Sequence, residues 1–238
     1  MSNNKKVWAV VPAAGQGSRM GAEIPKQYLP LAGRTVLEVT LEKLLDMDQL
    51  EGVVVAIGAT DIHWQKTSLV NHPKVFICLG GRERSDSVLN ALKFVADYAT
   101  DVRDTWVMVH DAARPCVSVE KIETLMDLCL TENCGAILAA PVADTLKRVT
   151  HGNQVIATED RSKLWQAHTP QMFRLDKLQA ALEFCTERRL PVTDEASAVE
   201  QVGGRVLIAS DRRDNIKVTM PEDLAWAEFI LANQETGA

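Results

Sequence analysis

Apolar residues along the chain follow two rhythms. Continuous, β-rich apolar runs occur at 7–11, 53–57, Val75–Leu79, Trp106–Val109 and 136–140. Between them, 36–45, 87–98 and 119–130 show helical spacing. Val36, Val39, Leu41, Leu44 and Leu45 fall mostly on one side of the first, and Val88, Leu92 and Val95 on a common face of the second. Short, wholly apolar strands alternating with amphipathic helices predict a parallel-rich α/β sheet covered on both faces. Right-handed crossovers then gather the loops after the strands along one sheet edge, where ligands of such folds bind.

The rhythm changes near Ala143. Residues 145–149 and Val155–Thr158 are two short β-like stretches separated by the turn chemistry of His151-Gly152-Asn153. They predict a hairpin inserted into the α/β chain, spanning about 141–163. Helices are expected again at 175–188 and 194–202, with a strand at 205–209. Thr219-Met220-Pro221-Glu222 fits a capping box with proline in the first turn of a last helix. No internal repeat or low-complexity tract interrupts the chain, which is expected to form one domain over 1–238 with the hairpin as an appendage.

Composition narrows the function classes. The 238 residues are 46% hydrophobic and 24% charged, with a formal net charge of −6. That is a folded globular composition, and its acidity argues against a sequence-neutral nucleic-acid coater. No apolar run approaches the ~20 residues that span a bilayer, and the N-terminal segment lacks the long apolar stretch of a signal peptide. The five cysteines form no CxxC pair. Buried free thiols and a cytoplasmic location are expected.

Candidate chemistry clusters after the expected strands. Pro12-Ala13-Ala14-Gly15-Gln16-Gly17-Ser18-Arg19-Met20 follows the first. Its small residues allow close backbone approach, and its N–H groups suit an anion nest. It lacks the Gly-Lys-Ser/Thr ending of a P-loop, and Met20 stands where a dinucleotide fingerprint has its third glycine. Arg19 and Lys26 add two cations, which suit a triphosphate better than a pyrophosphate held on backbone donors. The plainer reading is a glycine-rich turn with surface Arg and Lys.

Val109-His110-Asp111-Ala112-Ala113-Arg114-Pro115 follows a later strand. Asp111 on the ligand edge suits a ribose hydroxyl or a magnesium ion, and Arg114 suits a second phosphate. A structural Asp–Arg pair is the alternative, and His110 is expected to be packed rather than basic. Lys217, in Asp214-Asn215-Ile216-Lys217-Val218-Thr219, opposes the dipole of the helix that follows, so it suits an anion; a solvated lysine is the alternative. Gly80 and Gly81 would admit a nucleobase and Ser87 would read its edge, or the segment is a strand-to-helix turn. Thr193-Asp194-Glu195-Ala196-Ser197 is equally a helix cap. No zinc site is expected from the scattered histidines.

PAAGQGSRM with PKQYLPL, GGRERSDSV, VHDAARP, ATEDRSKLWQAHTPQ, TDEASAVE and DNIKVTMPEDL occur in that order. Together they resemble the 2-C-methyl-D-erythritol 4-phosphate cytidylyltransferase family of the non-mevalonate isoprenoid pathway, from Val7 to about Phe229. The resemblance implies a Rossmann-like nucleotidyltransferase fold with a mostly parallel sheet and a protruding β-arm that interlocks two subunits. It implies CMP transfer from CTP to 2-C-methyl-D-erythritol 4-phosphate, with Mg²⁺. Ala13, Ala14, Gly15 and Gly17 would contact CTP through the backbone. Arg19 would bind its phosphates and, with Lys26 and Lys217, form the catalytic set. Gly80, Gly81 and Ser87 would read cytosine. Asp111 and Ala112 would meet the ribose and the metal or substrate. Asp111, Arg114, Thr145, Arg161, Thr193 and Lys217 would hold the methylerythritol phosphate, with Thr145 and Arg161 supplied by the neighbouring subunit of a homodimer. Arg82 stands where some members have Asp.

The implied reaction needs no general base, because a phosphate monoester with a second pKa near ~6 is already mostly dianionic. The alternatives carried forward are a cytidylyltransferase for another polyol phosphate such as ribitol 5-phosphate, a sugar-1-phosphate nucleotidyltransferase, and a nucleotide-sensing module that kept the fold.

Overall fold

A computed structural model describes residues 5–15 and 24–236. Its strands are β1 (Val7–Pro12), β2 (Pro30–Leu31), β3 (Arg34–Thr35), β4 (Leu50–Ile57), β5 (Val75–Leu79), β6 (Trp106–Val109), β7 (Gly135–Pro141), β8 (Lys147–Val149), β9 (Val155–Thr158), β10 (Trp165–Arg174) and β11 (Val206–Ser210). The helices are α1 (Val36–Leu45), α2 (Arg84–Tyr98), α3 (Val119–Glu132), α4 (Leu175–Glu187), α5 (Glu195–Gln201) and α6 (Glu222–Thr236). Seven strands form one sheet in the order β11-β7-β10-β6-β1-β4-β5. All neighbouring pairs are parallel except those that β10 makes with β6 and β7.

The apolar strands are uniform in composition but divided in space. Val7, Ala9 and Val11 of β1 face one cluster with Leu37, Leu41, Ile122 and Leu125 of α1 and α3. Trp8 and Val10 face a second with Val88, Leu92, Leu178 and Leu182 of α2 and α4. The two-residue period of a strand therefore feeds two cores at once. A smaller cluster joins Val36 and Val39 to Ala227 and Leu231 of α6.

Helix starts obey local capping chemistry. Thr35 and Glu38 form a reciprocal capping box at α1, and Glu83 and Asp86 form one at α2. The second box starts α2 at Arg84, three residues before the expected position. At the last helix the expected partner is wrong. Asp223 Oδ2, not Glu222, accepts from the Thr219 and Met220 N–H groups, at 2.8 Å each.

Strand β10 was absent from the expected pattern, because Trp165–Arg174 contains Pro170 and four polar residues before Met172. Proline in a central strand removes a ladder donor, and the register shifts between Ala167 and Gln171. Its buried polar side chains find partners instead. His168 Nδ1 lies 2.8 Å from Asp211 Oδ2, Thr169 Oγ1 accepts from the Asp111 N–H at 3.0 Å, and Gln171 Nε2 donates to Asp194 Oδ2 at 2.8 Å. The chain leaves the sheet at the C-terminal end of β7 and re-enters through β10. The β8–β9 hairpin lies between, its base closed by Val142 N–H donating to Leu164 O at 3.0 Å.

Candidate active site

The chain runs from β1 outward to β4 and β5, then returns to β6 on the other side of β1. Such a reversal opens a crevice beyond the carboxyl ends of the two central strands. A cleft of about 350 Å³ lies there, lined by Pro12 to Gly15 after β1, Gly81 to Arg84 and Ser87 after β5, Asp111 to Ala113 after β6, and Lys26, Gln27, Lys217 and Thr219. Of the sequence-predicted residues it gathers Ala13, Ala14, Gly15, Lys26, Gly81, Ser87, Asp111, Ala112 and Lys217. Gly17 and Arg19 lie outside the described residues.

Asp111 is the electrostatic centre. Its Oδ1 accepts from Arg84 Nε at 2.9 Å, its Oδ2 lies 2.7 Å from Lys217 Nζ, and Arg114 Nε is 3.7 Å from the same oxygen. Burial alone would raise its pKa, but the Arg84 and Lys217 charges outweigh burial and hold the carboxyl well below the usual range. Arg84 is fixed from behind by a two-pronged pair with Glu195, at 2.7 and 3.1 Å, and Glu195 is fully buried at the start of α5. Burial disfavours the Arg84 charge, yet the Glu195 and Asp111 carboxylates raise its pKa overall. Nothing in the sequence singled out Arg84 or Glu195. The signal available was an Arg and a Glu in two polar segments at the starts of α2 and α5, residue types common at the surface.

The two lysines come from different segments. Lys26 sits on the 3-10 turn Lys26–Tyr28 and donates to Val218 O at 3.0 Å. Lys217 sits on the extended stretch before α6, which Val218 N–H ties to Ala113 O at 2.8 Å. The Lys26 amine is thus bonded one residue beyond Lys217. Gln27, also missed in the sequence, is buried beside the loop after β1.

Two glycines are required by close approach. A Cβ at Gly80 would lie 2.3 Å from Ala14 Cβ, and one at Gly81 2.1 Å from Asp86 Cβ. Gly80 supports the cleft wall from behind, and Gly81 faces the cleft. Ser87 Oγ accepts from Gly81 N–H at 2.9 Å and donates to Glu83 O at 3.1 Å. Its hydroxyl hydrogen is therefore spent on the turn itself. His110 is fully buried, and burial lowers its pKa to about 4. Its ring bonds Arg114 O and Thr169 Oγ1, as expected of a packed residue.

The remaining predicted residues are not brought together with the cleft. Arg114 lies beneath Asp111, its side chain 11% exposed, with Nη1 donating to Asn215 O at 2.6 Å. The structural Asp–Arg pair is present, and Arg114 does not line the cleft. Thr193 is exposed beside α5, whose cap is Asp194. Thr145 and Arg161 are exposed at the two ends of the arm. Among the described residues no group of three or more His, Cys, Asp or Glu is placed to hold a metal ion. Asp111, an ionised carboxylate at the cleft, fits a hard cation that brings most of its oxygen ligands with it.

Residues 7–233 match the family model described as "IspD: 2-C-methyl-D-erythritol 4-phosphate cytidylyltransferase". The chain belongs to this family. It is similar to 2-C-methyl-D-erythritol 4-phosphate cytidylyltransferase of Vibrio cholerae, 48% identical over 227 residues that cover 95% of this chain and 97% of the relative. A Pseudomonas putida protein of the same name is 50% identical, covering 92% and 93%. The crystal structure of the Francisella tularensis enzyme superposes with a TM-score of 0.82 at 38% identity, covering 94% of this chain and 99% of that one. A crystal structure from Thermus thermophilus gives 0.78 at 28%, covering 95% and 99%. The family and its solved structures bear out the expected Rossmann-like nucleotidyltransferase fold with its mostly parallel sheet. Among the described residues no helix is long and apolar enough to cross a membrane.

Proposed function

We propose that this chain transfers CMP from CTP to 2-C-methyl-D-erythritol 4-phosphate, releasing pyrophosphate. Family membership supports the reaction. The observation that carries its placement is the convergence of Lys26, Lys217 and Asp111 on the cleft at the β1/β6 crevice. The ribitol 5-phosphate alternative draws no support, because the matched family and its relatives bear the methylerythritol phosphate name.

The substrate phosphate attacks the α-phosphorus of CTP in line, and the P–O bond to pyrophosphate breaks. The dianionic nucleophile carries no proton that must be removed. Like charges must approach one another, and negative charge shifts toward the leaving group. Lys26 and Lys217 offset this electrostatically. Lys217 exchanges Asp111 for a phosphate oxygen when nucleotide binds, while Arg84, held by Glu195, stays on Asp111 and keeps it ionised. A bound Mg²⁺ would supply charge neutralisation at the phosphates, with Asp111 as the carboxylate that fits it. His110, neutral and enclosed, takes no proton in this scheme.

The Gly80-Gly81 turn, braced by Ser87, would receive the cytosine, and Asp111 with Ala112 would meet the ribose. Arg19 and Gly17 would extend the phosphate site. Arg114 would act from beneath Asp111, and Thr193 would flank the acceptor. Thr145 and Arg161 are proposed to reach the acceptor from the partner subunit of a homodimer. We read the chain as one cytoplasmic nucleotidyltransferase domain with the arm as an insertion.

The test is pyrophosphate release. CTP with 2-C-methyl-D-erythritol 4-phosphate and Mg²⁺ should turn over, and ribitol 5-phosphate or another nucleoside triphosphate should be much slower. A cleft built to pair with one base edge rejects bases that leave its polar groups unpaired. Equal rates with all four nucleotides, or with both acceptors, would overturn the proposal.

A further inference from the structure

We propose that Gln27 is a positioning residue, which aims the backbone after β1 at the nucleotide. The inference rests on the proposed use of CTP at this cleft. Gln27 is 4% exposed, and its Nε2 donates to Ala13 O at 2.7 Å and to Gly15 O at 3.0 Å. Both amide hydrogens are therefore spent on two carbonyls of one short loop. The Ala13 N–H is held independently by Ala56 O at 2.8 Å.

A trans peptide is planar, so fixing a carbonyl fixes the N–H on its far side. With Ala13 O held toward Gln27, the Ala14 N–H is directed away from it. That N–H makes no hydrogen bond among the described residues, and Ala14 borders the cleft. A backbone donor left open at a cleft wall is the element of an anion site.

Glutamine suits this position by chemistry as well as length. One nitrogen must give two hydrogens to two acceptors. An ionised glutamate of the same length has none to give and would turn two oxygens against two carbonyls. Methionine fills the space with no donor. Gln27 also follows Lys26 on the same 3-10 turn, so one segment carries both the lysine and the brace of the loop.

The test measures steady-state kinetics and direct CTP binding for Gln27→Met and Gln27→Glu, with circular dichroism and thermal melting as controls. Both variants should raise the KM and Kd for CTP at least about tenfold, which is roughly 1.4 kcal/mol of lost binding. The acceptor KM should stay within about twofold, and Gln27→Glu should be the worse of the two. An unchanged KM and Kd for CTP in either folded variant would overturn the inference. So would an equal rise in both substrates' KM, or loss of fold in both variants, because Gln27 would then be a core strut. If wild-type protein itself fails to bind CTP, the functional reading fails first, and the two failures are told apart.

Discussion

Around the cleft, Asp111 engages three cationic side chains, and Glu195 behind Arg84 has no exposed surface. Along the arm, every residue of β8 and β9 is exposed, and Val149, Val155 and Ile156 show about half or more of their surface. Both regions stand out in the sequence by their motifs. The cleft completes its bonding within one chain. Among the described residues the arm has one ion pair, Arg148–Glu159 at 2.6 Å, and no buried residue in either strand. A two-stranded hairpin is marginal alone in water. The cleft shows how one chain neutralises buried charge, and the arm leaves apolar side chains that its own chain does not cover.

The largest expected effect comes from breaking the cleft. Lys26→Ala and Lys217→Ala should each lower kcat about 10²-fold, as loss of one transition-state donor does. Circular dichroism should be unchanged. Near wild-type kcat in both would remove them from the mechanism.

The contrast is tested next by making the arm work for another chain. Lys26→Ala and Arg161→Ala protein, each inactive, should be unfolded together and refolded. Random pairing in a two-fold dimer should restore about a quarter of wild-type activity. No recovery means that Arg161 serves its own subunit, or none, and a monomer in sedimentation removes the composite site.

A third experiment addresses the enclosed side of the comparison. His110 titrates near 4 in the fold against 6.5 as the reference value. The unfolded chain therefore binds the extra proton between those values. The stability this provides is fully present above pH 6.5 and is lost as pH falls toward 4, about 3 kcal/mol in all. Urea melts of ligand-free protein should show this slope, and His110→Asn should flatten it. The smallest effect belongs to the arm. Arg148→Ala removes a surface pair between an exposed arginine and a half-buried Glu159 and should leave the urea midpoint of the chain unchanged within error.

Much of this architecture was legible in the chain. The apolar runs located six strands of the main sheet: β1, β4, β6 and β7 because strands covered on both faces leave a continuous signature, and the partly exposed edge strands β5 and β11 because they keep the same apolar composition. Strand β10 escaped because its buried face carries His168, Thr169 and Gln171, whose compensation by Asp211, Asp111 and Asp194 depends on residues far away in sequence. The placement of Lys26, Asp111 and Lys217 at the cleft was legible, since each lies in a loop that follows a strand or precedes a helix at the ligand edge. Arg84 and Glu195 were not, because their partnership spans 111 positions. Arg114 carried the right charge for a phosphate, but its burial beneath Asp111 is a tertiary fact.

The antiparallel return through β10 has a consequence for how such a chain can change over evolutionary time. A parallel neighbour would need a crossover helix, whereas an antiparallel one accepts a connection of any length. The Val142–Leu164 bond seals the base, so insertions or deletions beyond it leave the sheet's register alone. Lengthening such a loop costs only logarithmically in closure entropy. The arm is thus a module whose length can vary without disturbing the sheet at its root.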